Sequence, residues 1–270
     1  MPTLLVDESK CVREGICLTE CPGHFLELLA DEPVPTWVPA TEGRCAKCGH
    51  CVAICPEGAI SLGTMPVEAC QPIDHSLLFT PAQVEHQLRA RRSVRSYQAH
   101  PVPKEVLERL IDIARYAPSG GNSQPVEWLV VHDSALVGQL AQRTLDWVRT
   151  FLDRPEPAWV HRWIVERWER GEDIAFRGTA PHLIFVHGAK GSFPANYTIA
   201  LTYLEIAAPA FGLGACWAGF MWLAANEWPP MREVLCLPEG HECFGAMMMG
   251  YPMHEFQRIP LRNAARVTWL

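Results

Sequence analysis

Seven cysteines fall between residues 11 and 55, and their spacing is the strongest chemical signal in the chain. The second group reads Cys45-x2-Cys48-x2-Cys51-x3-Cys55-Pro56. Thiolates are soft anionic ligands, suited to zinc or to iron bridged by sulfide. Structural zinc sites use ligand pairs separated by a longer loop. Four cysteines within eleven residues, ending on Cys-Pro, match instead the run that wraps an iron–sulfur cubane. Such spacing folds backbone around the cube and aims N–H groups at its sulfides. The first group is Cys11, Cys17 and Cys21-Pro22. It falls on the same template, with Glu14 where the second cysteine belongs.

A second chemical signal is Arg91-Arg92-Ser93-Val94-Arg95-Ser96-Tyr97. Three guanidiniums this close repel one another unless they are solvated or share an anion. The planar arginine fork binds phosphate through two hydrogen bonds. Taken alone, the run also fits an exposed basic turn. About twenty residues later comes Ala117-Pro118-Ser119-Gly120-Gly121-Asn122-Ser123-Gln124-Pro125. Its glycines let backbone approach a flat ligand closely. Ser119, Asn122 and Gln124 offer donors and acceptors for a heterocycle edge.

The cysteine groups, with the continuation Pro56-Glu57-Gly58-Ala59-Ile60, resemble bacterial two-cluster ferredoxins. That resemblance implies one [4Fe–4S] cluster on Cys45, Cys48, Cys51 and Cys21. A second would rest on Cys11, Cys17 and Cys55 and lack one thiolate. It is then a [3Fe–4S] cluster, or a [4Fe–4S] cluster whose odd iron is bound by Glu14 or water; an empty site with a solvated Glu14 is the third option. The four-iron form with a non-cysteine ligand is the expectation.

The Arg-Arg-Ser-x-Arg and Ala-Pro-Ser-x-x-Asn-x-Gln-Pro runs resemble the FMN-dependent nitroreductase superfamily. Ala180-Pro181-His182, Gly212 to Gly219 and Gly250-Tyr251-Pro252 follow in family order, and the likeness covers about residues 81–265. It implies FMN phosphate and ribityl contacts from Arg91, Arg92, Ser93 and Arg95, with Arg258 or Arg262 closing on the phosphate. Pro118, Ser119 and Gly120 would line the isoalloxazine. Asn122 and Gln124 would sit near the ring at a subunit interface. Backbone at Cys216, Trp217, Ala218 and Gly219 would flank the flavin. The family forms homodimers with FMN between subunits.

The expected fold is α+β. A small ferredoxin-like iron–sulfur domain spans 1–62, a linker spans 63–80, and a three-layer αβα nitroreductase-like domain spans 81–270 in an entwined homodimer. Thr80, Pro81 and Gln83 spell a helix start with a capping box. Pro103 precedes a stripe of Val106, Leu110, Ala114 and Ala117. Residues 127–132, 182–187 and 243–249 read as buried strands, and 134–152 and 196–208 as helices. From 197 to 225 the only charge is Glu205, long enough to span a bilayer. Pro209 and Gly212, Gly214 and Gly219 interrupt it, so a buried helix, a turn and a strand are expected.

Hydrophobic residues make up 49% and charged residues 20% of the 270, a globular profile, and the formal net charge is −7. No basic block tracks a phosphate backbone, so no nucleic-acid partner is expected. The first ten residues carry no apolar signal core, which points to a cytoplasmic protein with reduced cysteines. Cys70, Cys236 and Cys243 are expected to be buried small hydrophobes.

The expected activity passes electrons from the clusters to FMN and on to a small organic acceptor of nitroaromatic, quinone or enone type. An external ferredoxin or other low-potential donor would supply them. An electron-transfer or redox-sensing module for a partner protein, and a flavin dehydrogenase running in reverse, stay open. No catalytic residue is assigned; His161, His182, His187 and Tyr197 are candidate proton donors. The Trp159, Trp163 and Trp168 segment, within 151–178, reads equally as a lid or as dimer packing.

Overall fold

The computed structural model describes residues 3–156, 158–172, 176 and 179–270. The chain divides into two compact units. One comprises Met1–Leu78 with Gly121–Ser123, the other Phe79–Gly120 with Gln124–Leu270.

In the first unit, β1 (Leu4–Val6) pairs antiparallel with β4 (Ile60–Leu62), and β2 (Leu26–Glu27) with β3 (Thr36–Trp37). Two short helices, α1 (Ile16–Thr19) and α2 (His50–Ile54), lie between. Each is entered through a left-handed glycine, Gly15 at φ 77 and Gly49 at φ 78. A β-carbon would strain this backbone. Six of the left-handed residues come in matched pairs: Arg13 and Lys47, Gly15 and Gly49, His24 and Gly58. Every pair is 34 residues apart, the step that separates Cys11 from Cys45 and Cys21 from Cys55. The unit is therefore a structural repeat, and Glu14 occupies the position of Cys48. Its core is small: Cys17, Leu26 and Ile60 cluster with Trp37, Cys51 and Cys55 packed against them, and Val52, Ala59 and Leu62 are also buried.

The second unit opens with α3 (Pro81–Ala90). Thr80 caps it, and Thr80 and Gln83 exchange both bonds of the capping box. α4 (Lys104–Ala114), β5 (Glu127–Val131), α5 (Ser134–Arg149) and α6 (Trp159–Glu169) follow. Then come β6 (His182–Ala189), α7 (Pro194–Ala207), β7 (Gly214–Trp217), α8 (Gly219–Glu227), α9 (Pro229–Leu235) and β8 (His241–Gly250). The sheet runs β5-β6-β8-β7 and is antiparallel throughout.

Residues on a strand alternate between faces, and β6 divides its side chains accordingly. Leu183 and Phe185 join a core with Leu140 and Leu145 of α5, Ile164 of α6, Ala224 of α8 and Met231 of α9. Ile184 and Val186 join the opposite core with Leu107 and Leu110 of α4 and Leu201 and Leu204 of α7. Each fully buried large side chain here contributes about 1.5–3 kcal/mol. The layers are helices, sheet, helices, as expected.

The apolar run from 197 is broken as the glycines and Pro209 imply. α7 ends at Ala207, a 3-10 turn follows, and Gly212 reverses the chain in the left-handed region at φ 70. β7 comes next, and then α8, which the sequence reading did not include. Among the described residues no helix is long and apolar enough to cross a membrane. Cys243 is buried as expected, but Cys70 and Cys236 are exposed. Cys236 sits at the solvent-facing, left-handed end of α9, where packing cannot cover it.

Candidate functional site

The arginine run begins where α3 ends. It is stitched to β7 by a hydrogen bond from the Val94 N–H to the Ala215 carbonyl, 3.0 Å. Glycine is required opposite: a β-carbon on Gly214 would lie 2.5 Å from Val94 Cγ2. Residues 91–95 and 214–217, far apart in sequence, therefore share one edge of the sheet.

Arg91 lines both neighbouring cavities and also holds an ion pair. Its Nη1 lies 2.8 Å from Oε1 of the buried Glu205, whose Oε2 accepts from the Trp217 indole at 3.2 Å. A buried carboxylate needs such partners. Arg92 holds its own backbone turn, donating to the carbonyls of Arg89 and Ala90. A cavity of about 420 Å³ is bounded by Arg89, Arg91, Arg92, Arg262, Ile259 and Leu261. A neighbouring cavity of about 330 Å³ is lined by Arg91, Arg92, Glu205, Gly214, Ala215 and His254. Arg89 pairs with Glu85. Among the described residues, Arg92 and Arg262 face no carboxylate at ion-pair distance. The donor set is that of a polyanion site. Arg258 lines neither cavity.

The Cys216 sulfur points to the Trp217 carbonyl at 3.6 Å. Burial pushes the Cys216 thiol up, against the opposing pull of the Arg95 charge and the Ser93 hydrogen bond. The Ala218 N–H donates to the Ala246 carbonyl at 2.8 Å, and α8 starts at Gly219.

The 117–125 segment is held by two bonds within the second unit. The Gly120 N–H donates to Asn196 Oδ1 at 3.1 Å, and the Gln124 N–H to Ser119 Oγ at 2.9 Å. Asn196 is buried in α7 and was not singled out from sequence; its only signal is a polar residue opening an apolar helix. Asn122 and Gln124 adopt left-handed backbone, at φ 53 and 46. Asn122 belongs to the first unit and donates to the carbonyls of Ala46 and Lys47, at 3.3 and 3.0 Å. Pro118 is exposed.

None of the eleven cysteines is in a disulfide. The seven clustered ones fall into two sets. Burial pushes the Cys51 thiol up to about 11, and the charges of Cys45, Cys21 and Cys48 push the same way. Burial likewise raises Cys17, with Cys55 and Cys11 as its charged neighbours. Cys21 thus neighbours the 45–51 set, and Cys55 the 11–17 set. Backbone N–H groups point at sulfur: Phe25 to Cys21 and Lys47 to Cys45 at 3.4 Å, and Ala59 to Cys55 at 3.3 Å. Glu14 is exposed and has no hydrogen bond or ion pair among the described residues.

Two proton-donor candidates are structural. Tyr197 is buried, stacks on Phe244 at 3.9 Å and donates to the Pro125 carbonyl. His182 Nε2 accepts from the Val102 N–H at 2.8 Å, so its proton sits on Nδ1, facing the His132 carbonyl at 3.0 Å. His132 stacks against it at 4.4 Å. Burial, and then the His132 charge, push the His182 pKa down to about 4. The unfolded ring titrates near 6.5, so the unfolded chain binds the proton first. The stabilisation is therefore complete above pH 6.5 and is lost as pH falls towards 4. The loss is on the order of 2 kcal/mol. Thermal unfolding followed from pH 7 to 4.5 is expected to show this decline, flattened in a His182→Gln variant.

His161 stacks on Phe151 at 4.5 Å, and burial lowers its pKa. On α6, Trp159 is exposed and meets Trp163 edge-on at 6.4 Å, while Trp163 and Trp168 pack against the core. Of the 151–178 segment, residues 157, 173–175, 177 and 178 lie outside the described residues.

Three comparisons with known proteins bear on this geometry. Pig iodotyrosine deiodinase 1 is 28% identical over 184 residues, 62% of this chain and 61% of that protein. The chain thus spans under two thirds of that relative's length. A Bacteroides fragilis nitroreductase, solved with bound FMN, superposes with a TM-score of 0.59 at 22% identity, covering 70% of this chain and 98% of that one. An oxidised iodotyrosine deiodinase, solved with FMN and 3-iodo-L-tyrosine, gives a TM-score of 0.52 at 25% identity, with 69% and 98% covered. Residues 88–251, more than half of the sequence and the whole antiparallel sheet with its arginine edge, match the nitroreductase family, and the chain belongs to that family.

Proposed function

We propose that this chain is an FMN-dependent oxidoreductase fed by two iron–sulfur clusters in its own N-terminal region. In this reading residues 1–62 hold the clusters, 63–80 connect, and 81–270 bind FMN in a homodimer. The observation that carries it is the sorting of the seven cysteines into two sets with backbone N–H groups aimed at their sulfurs. The buried hydrophobics of this unit are few and mostly small, among them Cys17, Leu26, Val52, Ala59, Ile60 and Leu62, and units of this size commonly rely on metal or disulfide cross-links. For FMN, the support is the family and the cavity bounded by Arg89, Arg91, Arg92 and Arg262, which suits a phosphate.

When bound, the clusters carry single electrons and FMN pairs them for a two-electron reduction of a small organic acceptor. The chain's own residues do the rest. Arg92 and Arg262 would hold the phosphate. Arg91 fixes Glu205, which in turn orients the Trp217 indole beside the flavin-flanking segment Cys216–Gly219. Ser119 and Asn196 shape the 117–125 loop, which would line the isoalloxazine. Nitroaromatics, quinones and enones fit such a site. The likeness to iodotyrosine deiodinases adds aryl halides, reduced as Ar–I + 2e⁻ + H⁺ → Ar–H + I⁻.

A steady-state assay with reduced ferredoxin and with NADH tests the direction of supply. Ferredoxin-driven turnover is the expected result. Faster turnover with NADH, unchanged when Cys45 and Cys51 are replaced, would overturn the reading. Restoring the repeat by Glu14→Cys is a separate test. The wild type is expected to lack a full-occupancy oxidised [3Fe–4S] EPR signal when prepared anaerobically. The variant is expected to hold its first cluster through a fourth thiolate and to lose iron to chelator more slowly.

A further inference from the structure

Glu127, His187 and His241 lie on three neighbouring strands and take no part in the proposed reaction. Glu127 on β5 is directly opposite His187 on β6. His241 on β8 is opposite Ala189, two residues along from His187. Period-two alternation therefore puts all three on one face. The β6–β8 register slips at this point: Val186 pairs with Gly245, but His187 with Cys243. Such bulges re-aim side chains and occur beside functional sites.

The outcome is a tight group. His187 Nδ1 lies 3.1 Å from His241 Nδ1, and His241 Nε2 lies 3.9 Å from Glu127 Oε1. One ligand atom from each residue falls within 4.8 Å of the others. Ligand atoms bound at about 2.0–2.1 Å to one tetrahedral ion sit about 3.3 Å apart. The 3.1 Å His187–His241 separation matches one such edge, and the exposed Glu127, which approaches the other His241 nitrogen, completes the set by a side-chain rotation. His187 is buried and Glu127 is exposed, which leaves one side open to water.

We propose that Glu127, His187 and His241 form a binding site for one divalent transition-metal ion, with zinc as the representative. Two imidazoles and a carboxylate suit zinc and its neighbours, whereas calcium and magnesium favour all-oxygen shells. Three protein ligands leave a fourth position for water. The competing account is a plain hydrogen bond between two imidazoles, with no metal uptake.

The test is equilibrium dialysis of the anaerobic, flavin- and cluster-loaded protein against zinc, with metal counted by mass spectrometry. Comparison with variants removes zinc held by stray thiols. The wild type is expected to bind one zinc more than His241→Ala or His187→Ala. Glu127→Gln, a surface change, is expected to weaken that zinc by about tenfold or more. Zinc is also expected to raise the unfolding midpoint of the wild type and not of His241→Ala. Retained flavin absorbance reports that each variant is folded. Should His187→Ala fail to fold, the partly exposed His241 and Glu127 decide the matter. Equal zinc uptake and equal midpoint shifts in wild type, His241→Ala and Glu127→Gln would overturn the site.

Discussion

Cys51→Ala is expected to remove about four irons per chain while leaving flavin at its wild-type stoichiometry. Cys51 neighbours Cys45, Cys21 and Cys48, so alanine there takes one corner from that set alone. It also packs against the small core of Cys17, Leu26 and Ile60, so the first unit loses stability along with its metal. The second unit has two extensive cores of its own and is expected to stay folded. Ferredoxin-driven turnover is then expected to fall by about a hundredfold or more, because residues that act as a unit fail as a unit. Turnover with a small reductant that reaches the flavin directly is expected to persist. Iron and flavin analysis beside the two assays measures both effects. Undiminished ferredoxin-driven turnover would break the link between the cysteines and the activity.

The second large effect is expected from Arg92→Glu. Arg92 borders both cavities and faces no carboxylate at ion-pair distance among the described residues. Reversing its charge removes a charge-assisted contact to phosphate and adds repulsion. A loss of about 2–4 kcal/mol follows, roughly thirty- to a thousandfold in FMN affinity. Riboflavin, which lacks the phosphate, is expected to bind wild type and variant alike. Flavin fluorescence titration with both ligands separates a phosphate contact from general damage. Arg91 predicts differently, since its loss strands the buried Glu205 and is expected to lower stability as well as affinity.

Local chemistry in the sequence was informative wherever one short stretch decides the outcome. The Thr80–Gln83 capping box formed as its spacing implies. The cysteine template placed Glu14 against Cys48, and the matched left-handed residues repeat that register in the backbone. Pro209 and Gly212 broke the long apolar run where their backbone preferences require.

What the sequence hid depends on distant partners. Arg91 lies 114 residues from Glu205, and nothing local in the sequence announces the ion pair they form. Asn196 is recruited to Gly120 across 76 residues. α8 is apolar on nearly every side, so no stripe announces it. The Glu127, His187 and His241 group exists only through cross-strand register and one bulge, neither of which leaves a local trace. His182 is a further case. As a polar residue opening a strand it drew attention as a proton donor, yet both ring nitrogens are occupied by backbone.

The most direct measurement is anaerobic purification followed by counting flavin, iron and acid-labile sulfide per chain. The expected result is one FMN with about seven or eight irons and a similar amount of sulfide, in a brown protein that releases yellow chromophore on heating. A colourless protein, or one carrying zinc in place of iron and no flavin, would contradict the account.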